Sequence, residues 1–326
     1  MPMPRPLGPA LLACLLLAPL SARADFAGWL GGLRAEALRA GVSAATLDAA
    51  LDGIAPIDRV VELDRRQPEG RLSYPEYRER VVTRARIDKG RDLLERHRDL
   101  LARTEARYGV PAEVIVALWG IESSFGEFKG RFSVVESLAT LAYEGRRADF
   151  FKGELISALK IIDAGNVSPR GMYGSWAGAM GQSQFMPSTF LGYAVDGDGD
   201  GRRDIWTSLP DTFASMANYL GRMGWDPGYV WGREVEAPRA VAKAHAGLER
   251  KAPLGWWQER GVRRLDGRSL PDVPIDASLL AMGEGEGAPP WFLAYHNYRV
   301  LMRWNRSTYF ATSVGLLADA IREGTS

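Results

Sequence analysis

The chain has 326 residues, with 41 lysines and arginines against 40 aspartates and glutamates and a net charge of +1. Hydrophobic residues make up 46% and charged residues 25%, a globular composition that excludes a mainly disordered, collagenous or coiled-coil chain. Because no domain-sized excess of basic residues exists, a strongly basic nucleic-acid-binding protein is excluded as well. The length is sufficient for about two domains.

Residues 1–24 are predicted to be a secretory signal peptide. Arg5 precedes the apolar run Leu11–Leu17, and the segment ends in Ala22-Arg23-Ala24, which is the usual order of charge, apolar stretch and small residues. The apolar run is shorter than the ~20 residues that span a bilayer. Cleavage after Ala24 would give a periplasmic protein. The alternative is an acylated Cys14, which would anchor the protein to a membrane.

Helices are predicted for most of residues 25–225. In the N-terminal helical region, residues 25–105, Ser43 is expected to cap a second short helix, and Arg78–Tyr108 is a charged helical stretch. Pro111 suits the first turn of the next helix. That helix carries apolar residues at the spacing of one buried stripe, namely Val114, Ile115, Leu118, Ile121 and Phe125. Similar patterns cover Phe132–Leu141, Asp149–Ile162 and Leu209–Leu220.

The pattern changes over residues 226–290. Short runs such as Val230–Val235 and Val262–Leu265 alternate with proline and glycine, which predicts a small strand-containing insert. Helical patterns return at Trp291–Met302 and Phe310–Ile321, so residues 291–326 are expected to return to the helical core. The predicted fold class is therefore mainly α, or α+β with a small strand-containing part.

Glu122 is the candidate catalytic residue. It lies on the flank of the apolar stripe, with Trp119 and Phe125 as its i−3 and i+3 neighbours. A carboxyl group in apolar surroundings is poorly solvated when charged, so its pKa should rise, and a protonated carboxyl can act as a general acid. From these residues alone, a half-exposed glutamate or one paired with an arginine remains the simpler interpretation.

Two longer motifs extend this observation. Glu122–Gly126 has the sequence ESSFG, and Gly174–Ser188 has the sequence GSWAGAMGQSQFMPS. Together with Arg146–Phe151 and a later aspartate-rich loop, they resemble the B-type membrane-bound lytic murein transglycosylases, whose core is similar to goose-type lysozyme. The resemblance runs from about Phe26 to Ile321. It implies a lysozyme-like catalytic core at residues 106–225 and cleavage of the MurNAc–GlcNAc β-1,4 bond of peptidoglycan.

The resemblance also implies a mechanism that uses one carboxyl group. Most glycosidases use two, but the nearby acids Glu127 and Glu136 have no matching surroundings. The resemblance implies that Glu122 acts first as acid and then as base. The muramoyl 6-hydroxyl replaces water as the nucleophile, and the product carries a 1,6-anhydromuramoyl end. The alternatives are a hydrolysing muramidase that uses the same glutamate, and a non-catalytic peptidoglycan-binding or scaffold protein.

Further residues are predicted to bind the glycan. Ser175 and Gln184 provide hydrogen-bonding groups in a segment rich in glycine and alanine, where a bulky ligand can approach the backbone. Arg146 and Arg147 suit the carboxylates of murein. Without the resemblance, a helix-packing contact and an exposed arginine pair explain these residues as well. The resemblance adds Ser123, Tyr77, Tyr219, Trp304, Asn305 and Phe310, although the two tyrosines could equally be core residues.

The aspartate-rich loop begins at Asp196 and is similar to an EF-hand loop, with aspartates at positions 1, 3 and 5 and glycine at position 6. Position 12 is Thr207 instead of glutamate. The resembling family closes a longer loop with a later aspartate, a place that Asp211 fits. The predicted Ca²⁺ ligands are Asp196, Asp198, Asp200, the carbonyl of Arg202, and Asp211. A solvated Asp-Gly turn is the alternative.

The expected partners follow from this interpretation. Peptidoglycan glycan strands are the predicted substrate, and other cell-wall enzymes are candidate protein partners. The chain is expected to be a monomer that binds no nucleic acid and no organic cofactor. The histidines His97, His245 and His296 are far apart in sequence and lack metal-ligand spacing.

Overall fold

The structure is a computed structural model that describes residues 18–66, 72–144 and 146–323. The predicted signal-peptide features Arg5, Leu11–Leu17 and Cys14 lie outside the described residues. The first helix, α1 (Ala18–Arg39), runs through the predicted cleavage site. None of the helices formed by the described residues has the length and apolar character needed to cross a membrane.

The N-terminal region is helical, as predicted. The predicted cap is confirmed, because the Ser43 hydroxyl accepts a hydrogen bond from the backbone N–H of Thr46 at 3.2 Å. The charged stretch Arg78–Tyr108 is helical, as predicted, and is divided among three helices. A new helix starts after Thr83, whose hydroxyl accepts the N–H of Arg86 at 3.1 Å. The helices after α1 are α2 (Ala44–Leu51), α3 (Asp58–Arg65), α4 (Tyr74–Val81), α5 (Arg84–Arg96) and α6 (Arg98–Tyr108).

The middle of the chain forms the helical core around α7 (Ala112–Ser123). The predicted stripe residues Val114, Ile115 and Leu118 are buried, and burial extends to every residue from Val114 to Gly120, so this part of the helix is enclosed on all sides. Phe125 lies beyond its end. The other elements are β1 (Phe132–Ser133), α8 (Val134–Tyr143), α9 (Ala148–Asp163), β2 (Tyr173–Gly174), α10 (Pro187–Tyr193) and α11 (Leu209–Arg222), and β1 pairs with β2 in antiparallel fashion.

Four strands of the predicted insert and β7, which begins directly after it, form a five-stranded antiparallel sheet with the order β4-β6-β7-β3-β5. The prediction of helix at Trp291–Met302 is wrong for its first part, because Trp291–Ala294 is a strand paired on both sides, and its helix begins at His296. The elements are β3 (Gly232–Glu236), α12 (Arg239–His245), β4 (Ala252–Pro253), α13 (Leu254–Glu259), β5 (Arg263–Arg264), β6 (Asp276–Ala281), β7 (Trp291–Ala294), α14 (His296–Trp304) and α15 (Thr308–Arg322).

Three clusters of buried apolar side chains hold these elements together. The first surrounds α7 with residues of α6, α11, α14 and α15. The second joins α1 and α2 to α8, α9 and α10. The third lies between the sheet and its helices α12 and α13. Tyr219 and Trp304 pack against both the first and the second cluster, so the junction of these clusters lies next to the end of α7. The predicted fold class, mainly helical with a small sheet, is confirmed.

Candidate active site

The candidate site begins where α7 ends. Glu122 is followed by Ser123, after which Ser124, Phe125 and Gly126 all have left-handed backbones with φ of 49°, 61° and 80°. The Ser123 hydroxyl accepts the N–H of Gly126 at 3.1 Å and donates to the carbonyl of Trp119 at 3.2 Å. Ser123 is only 1% exposed. Its hydroxyl therefore stabilises the turn from inside the protein. The predicted role of Ser123 in binding the glycan would require an accessible side chain, and Ser123 is buried.

The Glu122 carboxyl is half-buried and has one strong hydrogen-bond donor. The indole N–H of Trp304 donates to Glu122 Oε1 at 2.6 Å. Burial raises the pKa of Glu122 to about 7, and the indole opposes this rise because it stabilises the carboxylate. A substantial share of the molecules therefore holds the carboxyl proton at neutral pH, unlike an ordinary glutamate. Since Oε1 accepts the hydrogen bond from the indole N–H, the acidic proton can be carried by Oε2.

Aromatic rings hold Trp304 in place. Its ring centroid lies 5.0 Å from that of Tyr219 and 5.3 Å from that of Phe185. The Tyr219 hydroxyl donates to the carbonyl of Arg303 at 2.7 Å. The structure thus brings the predicted residues Tyr219 and Trp304 together beside Glu122. It adds Phe185, which the sequence reasoning did not select although the residue lies within the second motif.

Tyr77 approaches the same carboxyl group from α4. Burial raises the pKa of Tyr77, and the negative charge of Glu122 raises it further, so the two groups lie within electrostatic reach. The Tyr309 ring lies 5.8 Å from Tyr77 and 5.2 Å from the buried Tyr74. The predicted cleft residue Phe310 is instead in the first core cluster, with 5% exposure. The prediction of Phe310 as a cleft residue is therefore wrong by one position, because the neighbouring Tyr309 is the residue of α15 that contacts Tyr77.

The glycine-rich segment folds into a compact loop. The Ser175 hydroxyl accepts the N–H of Ala179 at 3.0 Å. Gln184 has a left-handed backbone, and its amide donates to the carbonyl of Gly181 at 2.8 Å. Both predicted residues are half-buried. The loop therefore fixes their orientation and places the following Phe185 against Trp304.

The predicted arginine pair meets a carboxylate of the protein itself. Arg146 contacts both carboxylate oxygens of Asp64 at 2.9 Å, and Arg147 contacts Oδ1 at 3.6 Å. Asp64 is buried on α3, whereas the arginine side chains remain 58% and 51% exposed. Part of their charge is therefore neutralised within the fold.

Asn305 is exposed directly after Trp304, and its Oδ1 accepts the N–H of Ser307 at 3.0 Å.

Three aspartates of the predicted metal loop converge. One carboxylate oxygen each of Asp196, Asp198 and Asp211 lies within 4.8 Å of the others. Asp211 is buried, and its two oxygens accept the N–H groups of Gly197 at 2.8 Å and Asp204 at 2.6 Å. Hard oxygen donors at this separation fit Ca²⁺.

The remaining predicted ligands of the loop are arranged differently. Asp200 is outside this convergent group, and its Oδ1 accepts the backbone N–H of Arg202 at 2.8 Å. Asp204, which was not predicted, accepts the N–H groups of Trp206 and Thr207 at 2.8 and 2.9 Å. The convergent set is therefore smaller than expected, and Asp204 contributes hydrogen bonds within the loop.

The comparisons with known proteins agree with this geometry. The family model for the transglycosylase SLT domain matches residues 25–319. The membrane-bound lytic murein transglycosylase B of Escherichia coli is 33% identical over 251 residues, which are 75% of this chain and 66% of that protein. The chain thus spans just under two thirds of the length of that relative.

Solved structures extend the similarity to the fold. SltB3 of Pseudomonas aeruginosa, solved in complex with NAG-NAM-pentapeptide, has a TM-score of 0.88 and 44% identity, covering 92% of this chain and 80% of that chain. The lytic transglycosylase Slt35 of Escherichia coli, solved in complex with calcium, has a TM-score of 0.77 and 28% identity, covering 93% and 94%. This chain therefore belongs to the transglycosylase SLT domain family, and within it to the B-type lytic transglycosylases.

Proposed function

We propose that this protein is a lytic transglycosylase that cleaves the β-1,4 bond between MurNAc and GlcNAc in peptidoglycan. The observation that carries the proposal is the Glu122 carboxyl, with a pKa of about 7 and an indole donor at 2.6 Å. The neighbour SltB3 was solved with NAG-NAM-pentapeptide and also with NAG-anhNAM-pentapeptide. The second of these ligands contains the anhydro sugar that such a reaction would form.

In the first step, Glu122 donates its proton to the glycosidic oxygen. The bond from that oxygen to C1 of MurNAc breaks, and C1 acquires oxocarbenium-like character. The leaving sugar takes the proton as a hydroxyl group. Because the pKa of Glu122 is near neutrality, a large share of the enzyme holds this proton at physiological pH.

In the second step, the new carboxylate acts as base. Glu122 removes the proton of the muramoyl 6-hydroxyl as O6 forms a bond to C1, which closes the 1,6-anhydro ring and restores the protonated carboxyl. Between the two steps, the Trp304 indole stabilises the carboxylate through a charge-assisted hydrogen bond. One carboxyl group therefore serves both steps, and no proton is gained or lost overall.

The positions of the nearby acids support a single-carboxyl mechanism. Glu127 is exposed and pairs with Lys89 at 2.5 Å. Glu136 lies in the first turn of α8, directly after the short strand β1. Neither acid contributes to the pKa of Glu122. Transfer to the substrate's own hydroxyl is therefore favoured over a second protein carboxylate, while a muramidase that activates water with Glu122 remains the competing reaction.

The surrounding residues are proposed to bind the glycan. Tyr77, Tyr219 and Trp304 present aromatic surface near Glu122, which suits the apolar faces of sugar rings. Ser175 and Gln184 are placed to meet hydroxyl and N-acetyl groups. Three exposed side chains are proposed to contact the lactyl and peptide carboxylates or amides of murein, namely Arg146, Arg147 and Asn305.

We also propose that Ca²⁺ binds to Asp196, Asp198 and Asp211 and stabilises the fold. The Asp200 side chain and the Arg202 carbonyl would complete the ligand set. The calcium complex of the neighbour Slt35 supports this assignment. An envelope location, either periplasmic after signal cleavage or lipid-anchored through Cys14, is proposed from the sequence and from the relative described as membrane-bound.

Product analysis of a single variant tests the function. Glu122→Gln keeps the shape and the acceptor for the Trp304 indole but cannot transfer a proton, so the rate on purified murein should fall by at least about 10²-fold. Glu127→Gln is the matched control and should retain activity. Mass spectrometry should find 1,6-anhydromuramoyl ends. Reducing ends would identify a hydrolase instead, and near-normal activity of Glu122→Gln would place the acid elsewhere.

A further inference from the structure

The buried side chain of Gln182 bridges two tryptophans next to the candidate site. Its Oε1 accepts the indole N–H of Trp119 at 2.9 Å, and its Nε2 donates to the carbonyl of Trp206 at 3.2 Å. An indole N–H can only donate and a carbonyl can only accept, so this pair of partners fixes the orientation of the amide. Gln182 is 6% exposed, and its backbone N–H also binds the carbonyl of Ile205 at 2.8 Å.

Hydrogen bonds connect the chain on either side of Glu122 to Trp206. Trp119 precedes Glu122 by one turn of α7. On the other side, Lys129 Nζ donates to the same Trp206 carbonyl at 3.1 Å. Both ends of the segment from Trp119 to Lys129 are therefore connected to the Trp206 carbonyl oxygen. Lys129 binds this oxygen directly, and Trp119 is connected to it through the Gln182 amide.

Between these ties lies the left-handed turn Ser124–Gly126. Non-glycine residues rarely adopt such a backbone, and they keep it only when the surrounding structure holds it. The Gln182 amide packs closely against this turn, because a Cβ atom on Gly126 would lie 2.3 Å from Gln182 Oε1. The amide thus supports the turn by contact as well as by hydrogen bonds.

We infer that Gln182 is a positioning residue that holds the end of α7, and with it Glu122, in its half-buried place beside Trp304. The inference rests on the proposed function. The titratable group that faces Glu122 is Tyr77 of α4, and the charge of Arg86 acts on Tyr77 in turn. The hydrogen bonds that fix the Gln182 amide are made to Trp119 and Trp206 instead. Loss of the amide would let the turn relax and admit water to the carboxyl.

Gln182→Met tests this role, because methionine has a similar length but makes neither hydrogen bond. The Glu122 pKa, followed by ¹³C NMR of the labelled full-length protein and assigned with Glu122→Gln, should fall by about one unit toward its ordinary value. The alkaline limb of the pH–rate profile on soluble murein strands should move down equally. At pH 7 we expect kcat to fall about tenfold and KM to stay within about twofold.

Gln258→Met is the matched control. The Gln258 Oε1 accepts the N–H of Leu270 at 2.7 Å in the insert, so this variant loses a structural hydrogen bond far along the chain from Glu122. It should lower the melting temperature without moving the Glu122 pKa. If Gln182→Met does not fold, Trp119→Phe removes the indole donor to Gln182 together with part of the buried ring, and it should also lower the Glu122 pKa.

The outcomes separate the two proposals. An unchanged Glu122 pKa in folded Gln182→Met or in Trp119→Phe overturns the positioning role, as does an equal shift in Gln258→Met. The NMR titration needs no turnover, so it decides this point even if the wild-type protein fails to release anhydro products from murein. That failure would instead refute the proposed function.

Discussion

Replacing the candidate acid should make the folded protein more stable, and the gain should depend on pH. The pKa of Glu122 is raised from 4.5 to about 7 by burial, so the folded state holds a proton that the unfolded chain releases between these values. Wild-type stability is therefore complete below the unfolded pKa and decreases as pH rises through the folded one. Glu122→Gln cannot ionise, and its stability lacks this decrease.

The size of the effect follows from the pKa interval. One pKa unit corresponds to about 1.36 kcal/mol, so the interval from 4.5 to about 7 amounts to about 3 kcal/mol. About 2.5 kcal/mol of this falls between pH 5 and pH 8.5. The glutamine still accepts the Trp304 indole N–H, so the variant loses no hydrogen bond there.

Urea unfolding of both proteins at pH 5 and pH 8.5 measures the difference directly. The free energy of unfolding of Glu122→Gln relative to wild type should increase by about 2.5 kcal/mol on going to the higher pH. Glu127→Gln is the control. It removes an exposed ion pair with Lys89 and should change stability by about 1 kcal/mol or less at either pH. The same relative stability of Glu122→Gln at both pH values would refute a carboxyl held protonated by burial.

Three further outcomes are expected. Trp304→Phe removes the indole donor but keeps an aromatic ring, so the pKa of Glu122 should rise by about one unit and the alkaline limb of the pH–rate profile should move up with it. Calcium at about 100 times its Kd should add roughly 2.7 kcal/mol to the stability of the wild type. Thermal melts with calcium and with chelator should show this gain lost in Asp211→Asn and kept in Asp266→Asn. N-terminal sequencing of the exported protein should find cleavage after Ala24, and an acylated mature end would contradict this.

Most helices could be predicted because the signals that mark a helix, its capping residues and the spacing of its apolar residues, lie within the helix itself. Ser43 capped its helix as expected, and α11 and α15 lie close to the predicted segments. The error at β7 has a physical reason. A short apolar run such as Trp291–Ala294 has no periodicity that distinguishes a buried strand from a buried helix. Its pairing with β3 and β6 decides the outcome, and those partners lie elsewhere in the chain.

The candidate site was predictable only where a motif carried it. Glu122 stands in a recognisable segment, but the buried Asp64 that binds the arginine pair lies 82 residues before Arg146, and no local pattern joins them. The choice between Tyr309 and Phe310 depends on how α15 is rotated against its neighbours. That rotation is set by packing in the first core cluster, which a single sequence does not reveal.

The bond between Trp304 and Glu122 joins residues 182 positions apart. The intervening chain must lose part of its conformational freedom before such a contact can be made. Until α14 docks, α7 would carry Glu122 without the indole and without the walls that exclude water. In that state the side chain would be an ordinary, fully ionised glutamate with no proton to donate. Chemical competence is thus a property of the completed fold, and unfinished chains are inert toward the polymer that the folded protein is proposed to cut.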